Sequence, residues 1–489
     1  MASRVMMGFA PFTGTEPTPM RRPHPGSFGE QAARLRRQFL QDGGLPFTDV
    51  LTDEVIADAL AAVGGWLDRV FSPLVTLWVF LGQVLSPDHS CRAAVARLIA
   101  HRLASGQKPC SARTGAYCRA RKRLPEAFFS GAALRAGRAL DAGADEGWLW
   151  KGHRVYVYDG SSVTMPDTPA NQAAYPQPVA QKPGLGFPLA RLGAVFSLAC
   201  GAVIGLGICR YAGKGQSELG MLRTLWDLFR PGDVVLGDRL MCAWAEMVML
   251  KQRGIDSVCR LTSHRRADFR RGKRLGGGDH VVEWPKPGKP RSIDGKAYAA
   301  LPASLTVREC RVRVEQPGFR TRSLVVATTL LDVKAFTRDD VAQLYRARWH
   351  AELDLRSLKQ TLQMDVLRCR TPGLVRKEIW AHVLAYNLIR TVMAQAAARR
   401  GAEPRSISFK GAVQTLEAFQ ALIALRGGDP EFRAAVYEEL LGAVAAHRVG
   451  DRPDRYEPRR RKRRPKPYDR LMKPRHTAKR DMLKGVREK

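Results

Sequence analysis

The sequence is short of paired cysteines and of acidic residues. Its nine cysteines are odd in number and no two of them form a CxxC pair. This excludes a disulfide framework and a zinc ribbon, and it favours reduced thiols in a cytoplasmic setting. Asp and Glu total 46 against 80 Lys and Arg in 489 residues, a formal net charge of +34. So basic a chain requires a polyanionic partner, and nucleic acid is the first candidate.

Apolar runs that would cross a membrane are also missing. The run at 71–85 is too short and contains Pro73, and the run at 192–209 holds four glycines, which favours a buried β-hairpin over a membrane span. Hydrophobic residues nevertheless make up 45% of the chain, enough for a large core, so wholesale disorder is excluded. We therefore expect about two to four folded domains and no association with a membrane.

The periodicity of the chain changes along its length and predicts an α/β protein with flanking helical regions. The central part reads strand, hairpin, helix, strand, helix, strand, which is typical of a mixed sheet covered by helices. The tail alone carries 17 Lys and Arg against 6 Asp and Glu, so we expect it to contact phosphates. The predicted regions are a flexible leader (1–30), a helical N-terminal DNA-binding region (31–148), a core in two parts (149–262 and 336–400), a β-rich insertion (263–335), a C-terminal helical region (401–450) and a basic tail (451–489).

One helix, predicted from 338 to about 363, carries the most informative pattern. Four of its residues are spaced three, four and seven apart: Tyr345, Arg348, Glu352 and Lys359. At 100° per residue they fall in one stripe about 60° wide. A carboxylate aligned with a tyrosine and two cations is able to bind a metal ion while the cations grip phosphates. An exposed face with ordinary salt bridges explains the same spacing, and the spacing alone does not decide between the two.

Two aspartates follow predicted strands of the central part. Asp159 ends the strand pattern at 154–159, and Asp238 follows the one at 234–236. The carboxyl ends of strands are where sites form in such sheets, although a turn role explains each aspartate as well, because each lies beside a glycine. If both meet Glu352, the three carboxylates would repel one another unless cations join them. Oxygen ligands without His or Cys favour two Mg²⁺ ions, or Mn²⁺, over zinc.

The segment YRARWHAELDLRSLKQ at 345–360 resembles the Y-(2)-R-(3)-E-(6)-K signature of IS4-family transposases, which bacterial insertion sequences encode. Family-like text also occurs at 155–167, 234–244 and 463–468. One position departs from the family pattern: Leu240 stands where many members have glycine after Asp-Arg. The resemblance implies a ribonuclease H-like fold with a β-rich insertion before the helix that carries the glutamate.

The resemblance also implies roles for the residues above. Asp159, Asp238 and Glu352 match the metal-binding catalytic DDE triad of the family. Tyr345, Arg348 and Lys359 match the residues that hold phosphates of the transposon end.

The implied function is a DNA transposase that cleaves transposon ends and joins them to target DNA by two-metal-ion phosphoryl transfer. It would act as a homodimer on DNA in the bacterial cytoplasm, associated with the nucleoid. Two alternatives share the same residues: a Mg²⁺-dependent nuclease of this fold without strand transfer, and a non-catalytic DNA-binding regulator. The basic stretch at 113–123, with Tyr117 between its cations, fits a DNA backbone and a solvated face equally well.

Overall fold

The computed structural model describes residues 25–41, 48–66, 69–211, 213, 216–313, 323–426, 429–450 and 470–484. Most of the predicted basic tail, including its densest run at 459–464, lies outside these ranges. The first helix begins at Pro25, within the predicted leader. None of the helices in these ranges combines the length and apolar character needed to cross a bilayer.

The described residues form more helix than strand. They are α1 (Pro25–Gln38), α2 (Asp53–Ala61), α3 (Pro73–Leu85), α4 (Cys91–Ala104), α5 (Gly115–Arg123), α6 (Glu126–Ala142), α7 (Pro169–Ala174), α8 (Glu218–Arg223), α9 (Trp244–Gln252), α10 (Gly295–Ala299), α11 (Arg338–Ala347), α12 (Trp349–Arg356), α13 (Pro372–Arg399), α14 (Phe409–Arg426), α15 (Pro430–Ala446) and α16 (Arg475–Leu483).

The strands form one nine-stranded sheet in the order β3-β2-β1-β4-β5-β9-β8-β7-β6. They are β1 (Val155–Thr164), β2 (Leu189–Ser197), β3 (Val203–Arg210), β4 (Val234–Gly237), β5 (Asp256–Arg260), β6 (Lys273–Gly276), β7 (Asp279–Pro285), β8 (Ser304–Arg313) and β9 (Ser323–Thr328).

The first five strands have the arrangement of a ribonuclease H-like core. β1, β2 and β3 form an antiparallel meander, and β4 and β5 run parallel to β1. The predicted mixed-sheet α/β core is therefore confirmed. The run at 192–209 belongs to the β2–β3 hairpin, as predicted. The strands at 263–335 extend this same sheet, because β9 pairs antiparallel with β5.

The N-terminal helices are joined to the core through a buried asparagine on α13. Asn387 Nδ2 donates to Ala133 O of α6 at 2.9 Å and to Val203 O of β3 at 3.0 Å, and its Oδ1 accepts from Val203 N at 2.8 Å. The approach requires a glycine, since a Cβ on Gly137 would lie 2.1 Å from Val203 O. A fully buried amide with all these partners satisfied fixes the position of α6 against the sheet and α13.

The long helix predicted over 338–363 is interrupted, and the prediction of one continuous helix is wrong. Thr337 caps α11 in a capping box with Asp340, as its position predicts. The helix breaks at Arg348, resumes as the eight-residue α12, and then passes into a π-helical turn at Ser357–Thr361. Because a π turn accommodates more residues than an α turn, the residues beyond 357 are rotated from the face that uniform helical spacing gives them.

Candidate active site

Asp159 and Asp238 lie at corresponding positions of two adjacent parallel strands. The register of β1 and β4 pairs Val157 with Leu236. Asp159 lies two residues farther along β1, and Asp238 lies two residues past Leu236, directly after the end of β4. Adjacent strands are about 4.8 Å apart, and residues two apart share a face of the sheet. The fold therefore brings together two carboxylates that are 79 residues apart in the chain.

Both carboxylates also shape the backbone next to them. Asp159 Oδ1 accepts from Gly160 N at 2.8 Å, and Asp238 Oδ1 accepts from Leu240 N at 2.7 Å. Leu240, the residue that departs from the family pattern, is 46% exposed, so its side chain is accommodated at the surface. Asp238 therefore combines the predicted turn role with a place in the site. The turn expected at Asp159 is wrong, because β1 continues through Gly160 to Thr164. Each carboxylate has a second oxygen for the site.

Arg348 joins Glu352 to this pair. Its Nη2 lies 2.6 Å from Glu352 Oε1, and its Nη1 lies 3.8 Å from Asp159 Oδ2. The guanidinium therefore lies between the two carboxylates. All three side chains are partly shielded from solvent, which strengthens the attraction relative to a surface salt bridge.

The three acids influence one another. Burial raises the pKa of Asp159 to about 6, and the negative charges of Asp238 and Glu352 act in the same direction, against the Gly160 N–H and Arg348. Burial is the main cause of this shift and the two neighbouring carboxylates add to it, so the ionised form of Asp159 is disfavoured. A cation bound at this position would stabilise the ionised form.

The tyrosine and the lysine of the predicted stripe also lie at the site. Burial raises the pKa of Tyr345 to about 12, the charge of Asp238 acting in the same direction and Arg348 and Arg260 against it. Lys359, carried on the π turn, donates from Nζ to Ser161 Oγ of β1 at 3.1 Å. The structure therefore places Tyr345, Arg348 and Lys359 around the carboxylates.

The sequence pattern does not single out Arg260, although it belongs to this group. The register of β4 and β5 pairs Gly237 with Cys259, so Arg260 is level with Asp238 on the neighbouring strand. A cation at the end of the strand next to the one that Asp238 follows is the signal that would have indicated it.

Other sequence expectations are corrected by the packing. Tyr117 and Arg121 of the basic stretch are buried, with the guanidinium carbon 4.4 Å from the centroid of the Tyr117 ring, so only the other cations of this stretch remain for DNA. Trp349 is 50% exposed, whereas Trp244 is buried.

The donor set at the site fits Mg²⁺ or Mn²⁺, because all three acids offer oxygen and no histidine or cysteine is predicted among the ligands. Among the described residues, no group of three or more His, Cys, Asp or Glu side chains is arranged so that it could hold a metal ion. The Arg348 guanidinium already bridges two of the three carboxylates. A metal ion would therefore compete with Arg348 for Asp159 and Glu352.

The comparisons with known proteins each match transposases. Residues 150–388 match the family described as the transposase DDE domain. The chain is 26% identical over 432 residues to transposase InsG for insertion sequence element IS4 of Escherichia coli strain K12, covering 86% of this chain and 92% of that protein. It is 38% identical over 65 residues to the putative transposase InsL for insertion sequence element IS186A of the same strain, which is 13% of this chain and 18% of that protein. Among solved structures, a piggyBac transposase synaptic complex with hairpin DNA aligns over 85% of each chain with a TM-score of 0.41 and 10% identity.

Proposed function

Because this chain belongs to the IS4 family of DDE transposases, we propose that it cleaves the ends of its insertion sequence and joins them to target DNA, with Asp159, Asp238 and Glu352 as the catalytic carboxylates. The alignment of Asp159 with Asp238 on adjacent parallel strands, with Arg348 bridging Asp159 to Glu352, is the observation that supports this most directly.

In this proposal the three carboxylates hold two Mg²⁺ ions, or Mn²⁺. Bound divalent ions at such a site supply the positive charge that activates a nucleophilic oxygen and stabilises the leaving oxygen of an in-line phosphoryl transfer. The raised pKa of Asp159 agrees with this choice of site, because a buried carboxylate beside two other acids is stabilised in its ionised form by a bound cation.

The cations around the carboxylates hold the DNA strand. Arg348 is able to exchange its carboxylate partners for a phosphate, since a guanidinium binds both in the same forked geometry. Lys359 adds a point charge next to Ser161 on β1, and Tyr345 supplies a hydroxyl. Together these groups orient a phosphate against the acidic residues, which is a large part of catalysis in phosphoryl transfer.

DNA is the partner that the overall charge of +34 fits best. The reaction requires two transposon ends to be brought together, so we propose a homodimer on DNA, working on chromosomal DNA in the bacterial cytoplasm.

A single assay separates the candidate activities. Purified protein is incubated with Mg²⁺, a duplex carrying the DNA that flanks its own gene, and a supercoiled target plasmid, with EDTA in place of Mg²⁺ as the control. Cleaved ends joined to the plasmid support the transposase. Cleavage without joining supports a nuclease of the same fold, and binding without cleavage supports a non-catalytic regulator.

A further inference from the structure

The carboxylate of Asp354 is enclosed by two guanidinium groups on the side of α12 away from the site. Asp354 is fully buried; Arg390 Nη2 binds its Oδ1, and Arg405 Nη1 lies 2.6 Å from its Oδ2. It comes two residues after Glu352, which is about 200° around the helix. One short helix thus presents one acid to the site and anchors another in the core.

Arg405 connects this anchor to the sheet. Its Nε donates to Leu198 O at 2.8 Å, and its Nη2 donates to Ser197 O at 2.6 Å. Ser197 is paired with Tyr156 on β1, three residues before Asp159. The chain of contacts therefore runs from α12 through Asp354 and Arg405 to the strand that carries the first aspartate.

Arg390 closes the other side of the same anchor. Its Nε donates to the Tyr386 hydroxyl at 2.9 Å, and that hydroxyl donates to Gly201 O at 2.9 Å. Gly201 has φ +82°, and a Cβ there would lie 2.8 Å from the guanidinium. The turn between β2 and β3 is therefore packed directly on the arginine.

Such an arrangement is a poor source of stability. Removing three charged groups from water carries a large desolvation cost, and well-packed apolar residues often stabilise a core as well or better. A buried, fully hydrogen-bonded ion cluster does offer a fixed geometry.

The helix that carries Glu352, α12, needs a fixed contact of this kind to hold its rotation about its own axis. α12 has eight residues and lies between two irregular turns: the one-residue interruption at Arg348, whose φ of −52° and ψ of −31° remain helical, and the π turn. The rotation of α12 therefore depends in part on what its buried face contacts. A glutamate carboxylate lies about 5–6 Å from the helix axis, so a rotation of about 10° moves it by about 1 Å. A displacement of that size at a reacting centre costs about a hundredfold in rate.

We propose that Asp354, held by Arg390 and Arg405, is a positioning residue that sets the rotation of α12 and so the distance from Glu352 to Asp159 and Asp238. This inference rests on the proposed function, because it concerns the same three carboxylates. Neither arginine is required to touch DNA.

The test compares wild type, Asp354→Asn and Glu126→Gln. Glu126 is a matched control: it accepts hydrogen bonds from Arg376 at 2.6 Å and from Trp380 at 2.9 Å, and none of these residues belongs to the site. Two quantities are measured for each protein. One is the melting temperature without DNA as Mn²⁺ is added, and the other is the single-turnover cleavage rate in Mg²⁺.

For Asp354→Asn we expect the cleavage rate to fall about a hundredfold, and the Mn²⁺ concentration that gives half of the stabilisation to rise about tenfold. Affinity for the DNA end in EDTA should change less than about threefold, because no phosphate contact is removed. Glu126→Gln should melt at a lower temperature but keep the wild-type rate and Mn²⁺ dependence. If Asp354→Asn does not fold, Arg405→Lys replaces it, since it keeps a charge for Asp354 and loses the carbonyl contacts.

Two outcomes overturn the inference in distinguishable ways. A wild-type protein that neither cleaves DNA nor gains stability from Mn²⁺ overturns the proposed function and the positioning role with it. If the wild type does both, the positioning role alone is overturned by either of two results for Asp354→Asn. One is a cleavage rate and Mn²⁺ dependence equal to those of wild type. The other is a difference from wild type no larger than that of Glu126→Gln.

Discussion

Lys359 Nζ donates a hydrogen bond to Ser161 Oγ over 3.1 Å, across 198 residues of sequence. The contact places an ammonium group two residues past Asp159 on β1, where a DNA phosphate would approach the carboxylates. Ser161 is a weak partner for a full charge, so the ammonium remains available to a stronger one.

We therefore expect Lys359→Ala to weaken binding to the transposon end about tenfold at low salt, which is the loss of one charge-assisted contact. The slope of log affinity against log salt should fall by about one, because one phosphate contact disappears. Fluorescence anisotropy over a range of salt concentrations measures both quantities.

Lys251→Ala is the matched control for this change. Lys251 pairs with Asp256 at 2.7 Å. Asp256 is the first residue of β5 and Arg260 is the last, so this pair lies away from the site. It should leave affinity and slope near wild type. Equal effects of the two variants would mean that Lys359 contributes only to the overall charge.

Glu352→Gln should separate binding from chemistry. The variant keeps the size of the side chain and a partner for Arg348, but it removes the charge that a divalent ion requires. We expect end cleavage to fall at least about a thousandfold, equivalent to several kcal/mol of transition-state stabilisation, while affinity in EDTA stays within about threefold. Parallel gel-shift and cleavage assays on one preparation give both numbers, with the exposed Glu439→Gln on α15 as control. Loss of binding to the same degree as loss of cleavage would contradict the assignment.

The position of Asp238 just after β4 could be predicted from sequence, because an apolar run followed by Gly-Asp is a local signal. The strand end predicted at Asp159 is wrong, since β1 continues to Thr164 and its last residues pair with β2. The four-residue stripe on the helix could also be predicted. That prediction assumes uniform helical spacing, which is wrong, since the helix is interrupted at Arg348 and forms a π turn at Ser357–Thr361. Lys359 still reaches the site, because the π turn lies against β1 through Ser161.

Contacts between distant segments could not be predicted in the same way. Asp354 is held by arginines 36 and 51 residues farther along the chain, and nothing in the local spacing marks any of the three. Tyr117 and Arg121 were misread for the same reason: their partner Gln83 lies on α3, more than 30 residues earlier. A polar residue with a remote buried partner has the same local pattern as a solvated one.

Arg260 tests whether the pairing of β4 with β5 places a DNA-binding cation beside Asp238. If its alignment with Asp238 places the guanidinium at the DNA strand, Arg260→Ala should weaken binding to the cleaved end about tenfold, and Arg260→Lys should recover part of the loss because it keeps the charge. Ethylation interference on the end duplex then shows whether a particular phosphate contact has disappeared. Arg253 directly follows α9, before β5 begins, and pairs with Asp227; Arg253→Ala should change neither affinity nor the interference pattern. An Arg260→Ala protein with wild-type affinity and pattern excludes this residue from the DNA-binding surface.

The buried histidine of α13 predicts how stability depends on pH. Burial lowers the pKa of His382 to about 4, and the neighbouring His89, whose ring is stacked at 5.7 Å, acts in the same direction. An unfolded chain protonates this histidine near pH 6.5, so between pH 6.5 and 4 the unfolded state binds more protons than the folded state. The free energy of unfolding therefore falls as pH falls through this window. From pH 7.5 to 5 the loss from His382 should be about 2 kcal/mol.

Urea unfolding of wild type and His382→Gln at these two pH values measures that contribution. The variant cannot titrate at this position, so the difference in its free energy of unfolding between pH 7.5 and 5 should be smaller than that of wild type by about 2 kcal/mol. His476→Gln, at an exposed position on α16, removes a histidine from solvent and should keep the wild-type difference. Because α13 packs against α3, α6, α14 and α15, a shift confined to His382→Gln would show that acid destabilises the fold from its central helix. Identical pH dependence in all three proteins would place the acid-sensitive groups elsewhere.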